Sequence, residues 1–175
     1  MDVNLEYYTK SHNVSVKKKI NGSIEDVWRL ISKPSNLELF HPFCRSNKTI
    51  NWSGVGSRSD ELIYLNNFKL IREFFKWKKN EGYKLLIGRR GGRKSLVVWE
   101  ISNESTETFL TITVYPHFMR EKPKIISFLP YALIIKPKMK MYLENVLNGL
   151  RWHLKYSKPV PKNLFGKHKW FSNMN

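Results

Sequence analysis

The chain has 175 residues, 41% of them hydrophobic and 14% aromatic, and 31 Lys and Arg against 14 Asp and Glu give a formal net charge of +17. That length supports one domain with a real core and leaves little for a second, and the apolar content excludes a disordered chain. Charge interrupts every apolar stretch too often for a transmembrane helix, and the single cysteine, Cys44, excludes an internal disulfide.

At the start, Met1 is followed by Asp2, Asn4 and Glu6 where a secretory signal would carry a basic and then an apolar stretch, so a cytoplasmic location is expected. Residues 14 to 20 (VSVKKKI) alternate Val14, Val16 and Ile20 with lysines and serine, the pattern of a strand with one wet face. The period then changes. Ser23 is an N-cap with Asp26 at capping-box spacing, Val27, Trp28, Leu30 and Ile31 form a helical face, and Pro34 ends it. A second short helix over 35 to 39 carries the chain to His41.

From Phe43 to Pro116 the sequence reads as strands over 44–52, 58–67, 68–78, 83–90, 94–102 and 107–115, broken by turn residues such as Asn66-Asn67 and Asn80-Glu81-Gly82. Such short separators fit an antiparallel meander, because parallel neighbours need long crossovers. The stretch GRRGGRKSLVVWEIS (88–102) has the look of a phosphate loop, but a strand follows its glycines where a phosphate loop needs a helix N-terminus. Gly91-Gly92 is therefore read as a hairpin, with Arg89, Arg90, Arg93 and Lys94 at the rim of the sheet. After Pro137, a first-turn residue, Met139, Leu143, Val146 and Leu150 recur at helical spacing, so a helix of about nineteen residues spans roughly 28 Å. Residues 1–157 are taken as the domain and 158–175, rich in lysine with Pro159, Pro161 and Gly166, as a basic tail.

This order of elements, with the phrases INGSIEDVWRLISKPSNLELFHPF, VVWEIS, TFLTITVYP and IKPKMKMYLENVLNGLRWHL, resembles the SRPBCC superfamily over about residues 12 to 156. These are the helix-grip domains that include START lipid-transfer domains, polyketide cyclase/dehydrase-like proteins and birch pollen allergens. The resemblance implies an α+β fold, a seven-stranded curved antiparallel sheet wrapped around a long C-terminal helix, with two short helices between strands 1 and 2. It also implies a hydrophobic cavity between sheet and helix. The candidates to line it are Tyr64, Arg72, Phe74, Trp77, Trp99, Ile112 and Val114 on strands, and Met139, Tyr142, Leu143, Val146 and Leu150 on the helix. An apolar stripe of this kind also serves as plain packed core, and fold alone does not transmit chemistry.

Arg72 and Glu73 are adjacent on a strand, so one faces inward. Arg72 inside pairs with a ligand carboxylate or with Asp60 or Glu61; Glu73 inside pairs with Arg89 or Arg90. Gly149 sits mid-helix, where it costs about 1 kcal/mol relative to Ala, so either close packing compensates or the tertiary fold tolerates it. His41 and Cys44 are three apart but have no second pair to complete a metal site, so no metal, cofactor or catalytic residue is assigned.

The cluster Ile125, Ile126, Phe128, Leu129, Tyr131, Leu133, Ile134 and Ile135, flanked by lysines including Lys136, has the layout of an element that dips into an anionic bilayer, or of a lid on the domain's own core. The leading expectation is a binder of a hydrophobic or amphipathic small molecule, such as a lipid or polyketide-like compound, attracted to anionic membranes. A polyketide cyclase or aromatase is the first rival. A nucleic-acid binder using Phe75-Lys76-Trp77-Lys78-Lys79 is the second; no recognition motif supports it.

Overall fold

The computed structural model describes residues 3–10, 12–53, 58–119 and 128–173. A short helix α1 (Leu5–Thr9), capped by the Asn4 side chain on Tyr7 N–H, precedes β1 (Val14–Ile20). Helices α2 (Ile24–Ile31) and α3 (Leu37–Phe40) follow. The capping box forms as its spacing requires: Ser23 Oγ accepts from Asp26 N–H at 3.1 Å and Asp26 Oδ2 accepts from Ser23 N–H at 3.2 Å. Strands β2 (Cys44–Asn51), β3 (Ser59–Tyr64), β4 (Lys69–Lys78), β5 (Gly82–Gly88), β6 (Lys94–Glu104) and β7 (Glu107–Tyr115) then run as a meander.

All seven strands form one antiparallel sheet in the order β1-β7-β6-β5-β4-β3-β2. Strict alternation along β7 buries Leu110, Ile112 and Val114 against the long helix α4 (Lys136–Tyr156), whose Met139, Leu143, Val146 and Leu150 face the sheet. This is the helix-grip arrangement expected from the sequence. Gly88 pairs with Lys94 across the β5–β6 turn, and Gly91 takes φ +69°, the left-handed conformation that a tight hairpin asks of glycine.

Two expectations need correction. The long helix does not begin at Pro137: residues 128–130 are already helical and a π-helical turn, Tyr131–Ile135, runs directly into α4. Pro137 has no N–H to donate and its ring crowds the preceding turn, and a widened turn accommodates both. Nor is the stretch after Ser157 a solvated tail. Val160, His168, Phe171 and Ser172 are buried, and the segment is tied back by Val160 N–H to the Leu39 carbonyl at 2.8 Å and Asn163 N–H to the Pro42 carbonyl at 3.0 Å. Its lysines point outward while Phe171 joins the core and Trp170 packs against it, a pattern too sparse to stand out from a basic tail.

Gly149 is explained by close approach, to α3 and not to the sheet. A Cβ there would come under 3.0 Å from the Phe40 carbonyl oxygen and to 3.2 Å from Pro42 Cδ. The bare backbone of α4 thus packs directly on the chain leaving α3.

Candidate functional site

The sheet and α4 do not close on each other along their whole length. At one end the space is filled by aromatic rings. Trp77 sits 5.4 Å from Trp28 on α2, 5.7 Å from Trp52, 5.3 Å from Phe74 and 5.2 Å from Tyr83. A register shift between Phe74 and Lys76 puts Trp77 on the same inner face as Phe74, which strict alternation would forbid, while Phe75 packs on the smaller outer cluster with Val3, Leu5 and Tyr8.

At the other end lies a cavity of about 610 Å³. The sheet contributes Tyr64, Arg72, Trp99, Ile112 and Val114, and α4 contributes Met139, Tyr142, Leu143 and Val146. Nine of the residues proposed from the sequence therefore meet around one space. Phe74 and Trp77 belong to the packed aromatic end, and Leu150, fully buried, lies in solid core.

Other linings were not foreseen. His41 enters from the junction of α3 and β2, Phe68 and Asn66 from the β3–β4 turn, Arg89 and Arg93 from the β5–β6 hairpin, and Trp170 and Phe171 from the C-terminal segment. The hairpin arginines are at the rim, as read from the sequence, and that rim is the mouth of the cavity. Arg89 lies 5.0 Å from the centre of the Phe68 ring, a cation–π contact that places charge beside an apolar entrance. His117 also reaches the cavity; its Nδ1 is 3.0 Å from Ser95 Oγ.

Of the Arg72–Glu73 pair, Arg72 faces in. Its Nε donates to Asp60 Oδ1 at 2.7 Å and its Nη2 to Asp60 Oδ2 at 2.5 Å, with Asn36 and Asn47 side-chain oxygens at 3.3 and 3.4 Å. Burial works against the Arg72 charge, and the Asp60 carboxylate more than offsets it, so the guanidinium stays protonated. Glu73 lies on the other face, paired with Lys94.

A second polar group stands beside this one. His41 Nε2 is 2.8 Å from Tyr142 Oη, which is 3.0 Å from Tyr64 Oη. Phe43 N–H donates to His41 Nδ1 at 3.2 Å, so that nitrogen carries no proton and Nε2 is the donor to Tyr142. Burial, with the charges of Arg72 and Lys162, pulls the His41 pKa down to about 3. Burial likewise holds both tyrosines above the ordinary phenol range. All three groups are neutral near pH 7. Phe171 stacks on Tyr64 at 4.2 Å and lies 4.6 Å from Tyr142, which roofs the trio with the C-terminal segment.

Cys44, close by in sequence, is buried, and its thiol is pushed up to about 12 by desolvation, so it is no nucleophile. Among the described residues no three His, Cys, Asp or Glu side chains are grouped as a metal would need.

Of the segment expected to meet a membrane or act as a lid, Ile125 and Ile126 lie outside the described residues. The remainder divides. Tyr131 is buried, its ring stacked on His12 at 4.3 Å, while Phe128 (60% exposed), Leu129 (62%) and Leu133 (68%) point to solvent, with Lys136 next to them also exposed. Among the described residues no helix is long and apolar enough to cross a membrane.

No protein-family model and no curated protein matches the chain. Solved structures do resemble it. DynU16, a protein of the dynemicin biosynthetic locus, superposes with a TM-score of 0.64 at 14% identity, over 86% of this chain and 50% of that one; this chain spans about half of DynU16. TTHA0849 from Thermus thermophilus matches at 0.64 and 17% identity, over 83% of this chain and 99% of that one. CalU16 from Micromonospora echinospora matches at 0.55 and 11% identity, over 84% and 78%. At these identities the likeness is one of fold: a curved antiparallel sheet wrapped around a long C-terminal helix.

Proposed function

We propose that this chain binds a hydrophobic or amphipathic small molecule, of lipid or polyketide-like character, between its sheet and α4, and that it meets anionic membrane surfaces. The observation that carries the reading is the cavity itself: about 610 Å³ of mostly apolar and aromatic lining, in the size range of small-molecule sites, with arginines at its entrance. A packed domain of this size has no reason to leave that space, since interiors fill to crystal-like density. Binding is favoured over turnover because Asp60, a buried carboxylate beside the cavity, is committed to Arg72 and is withdrawn from service as a general base. A nucleic-acid role is disfavoured because Trp77 and Phe75 are packed and offer no stacking platform.

Native and denaturing mass spectrometry of the purified protein, with an organic extract analysed alongside, tests the binding. A reproducible non-covalent adduct present in the native spectrum and in the extract is expected. A clean apo mass, together with no uptake from a panel of fatty acids, isoprenoids and aromatic polyketides, would refute the reading. The membrane part rests on the exposed Phe128, Leu129 and Leu133 beside Lys136, and on the +17 charge. Flotation with phosphatidylserine-containing vesicles should carry the protein up at low salt and lose it in Leu129→Asp/Leu133→Asp; equal flotation of that variant would remove this surface from consideration.

A further inference from the structure

The trio of His41, Tyr142 and Tyr64 contains more hydrogen-bond donors than it uses. Three protons are present, on His41 Nε2 and on the two phenols, because His41 Nδ1 is occupied as an acceptor and neither tyrosine ionises near neutral pH. Only two contacts join the three groups, 2.8 Å and 3.0 Å long. His41 fills the first by donating to Tyr142. The second takes one phenol proton, from Tyr142 to Tyr64 or the reverse. One phenol O–H is therefore left over in either arrangement, on a hydroxyl that has no further acceptor among the described residues and belongs to a residue lining the cavity.

We infer that the cavity is built for a ligand with a neutral oxygen acceptor, a carbonyl, ether or hydroxyl, that accepts this remaining tyrosine proton. The inference rests on the binding role proposed above and specifies its ligand class. Neutrality follows from the charges present. The trio is uncharged, and Arg72, the one buried cation on this wall among the described residues, already has both its Nε and Nη2 on Asp60. An anion pressed against this wall would be buried without a counter-charge, whereas a neutral acceptor completes a hydrogen bond that is otherwise unmade. An acidic group on the same ligand would have to lie at the mouth, beside Arg89 and Arg93.

The test compares two probes of one shape: 2-acetylnaphthalene, and 2-isopropenylnaphthalene, in which CH2 replaces the carbonyl oxygen. Equilibrium dialysis gives the ratio of their Kd values for the wild type, for Tyr64→Phe and for Tyr64→Phe/Tyr142→Phe/His41→Leu. In the single variant the Tyr142 proton is released from Tyr64 and takes over, so the ratio should stay within about twofold. In the triple variant both hydroxyls are gone, and His41→Leu ensures that the Nε2 proton freed from Tyr142 cannot take their place. The ketone should then lose about tenfold relative to the alkene, the effect of one hydrogen bond of ordinary strength. An unchanged ratio in the triple variant would overturn the inference while leaving the cavity reading intact; failure of both probes to bind the wild type would overturn the two together. Should the triple variant not fold, carbonyl-¹³C-labelled 2-acetylnaphthalene bound to the wild type decides instead. A shift moved downfield toward its value in alcohol supports the donor, and a shift equal to that in hexane refutes it.

Discussion

Gly149→Ala sets two opposed effects against each other, and the structure says which prevails. In an unconstrained helix the change gains about 1 kcal/mol, because alanine restricts the unfolded chain and suits the helix. Here the added methyl would sit under 3.0 Å from the Phe40 carbonyl oxygen and 3.2 Å from both the Phe40 carbonyl carbon and Pro42 Cδ. Two of those three atoms are backbone, so no side chain can swing away; α4 and the α3–β2 junction must part by several tenths of an ångström or more. Overpacking of this kind costs about 1–3 kcal/mol, sometimes more, and the separation also loosens the fully buried contacts of Phe40 and Leu150. Because backbone atoms cannot yield, the cost falls at the upper end of that range, and less the helix gain it leaves a net loss of about 2 kcal/mol, or roughly 4–8 °C in Tm for a chain of this length. Urea and thermal unfolding followed by circular dichroism measure it. His41 lies between Phe40 and Pro42, so the Tyr142 contact should lengthen as well. An alanine variant as stable as the wild type or more so would refute the close-packing account.

Three further outcomes follow from buried polar groups. Asp60→Asn leaves the Arg72 charge buried without its carboxylate and should cost about 3–5 kcal/mol in urea unfolding, while Arg72→Met/Asp60→Leu, which removes both charges, should recover a large part of that; equal losses would argue against an ion pair. His41 stays neutral in the folded chain down to about pH 3, whereas in the unfolded chain it takes up a proton near 6.5, so its contribution is whole above pH 6.5 and is lost as pH falls toward 3, on the order of 4 kcal/mol in all. His168, also held low by burial, adds in the same direction. Stability measured from pH 8 to pH 3 should therefore fall less steeply for His41→Gln than for the wild type, and parallel curves would show that His41 is protonated in the fold. Cys44 should resist thiol-specific disulfide reagents at pH 8 until the protein is unfolded; rapid native labelling would contradict its burial.

Much of this architecture is written in local pattern. The capping box at Ser23, the glycine pair at 91–92 and the alternation of Leu110, Ile112 and Val114 each depend on neighbours within a few residues, and each appears where the sequence places it. What escaped depends on distance. The bulge that brings Trp77 to the inner face of β4 has no residue type of its own. The entry of His41, Trp170 and Phe171 into the cavity is a matter of where loops return, and a histidine between phenylalanine and proline looks the same whether it faces water or Tyr142. Arg72 was recognised as one of two candidates for the inside, and the choice between them needed the register that sets it opposite Asp60. The division of the aromatic residues into a filled end and an open end likewise follows from the curvature of the sheet, which composition does not encode.

The strand order also bears on how the molecule assembles. From β2 to β7 every neighbour in the sheet is the next strand in the chain, so that part can grow hairpin by hairpin with short loops to close. β1 is different: it joins β7, and the Ser15–Thr113 contact spans 98 positions of sequence. Loop-closure entropy sets that pairing late. Weakening β1 should accordingly hasten unfolding far more than it slows folding. Because α2 and α3 hang between β1 and β2, the wall that holds His41 is assembled with this last closure, and the meander alone has no cavity to offer.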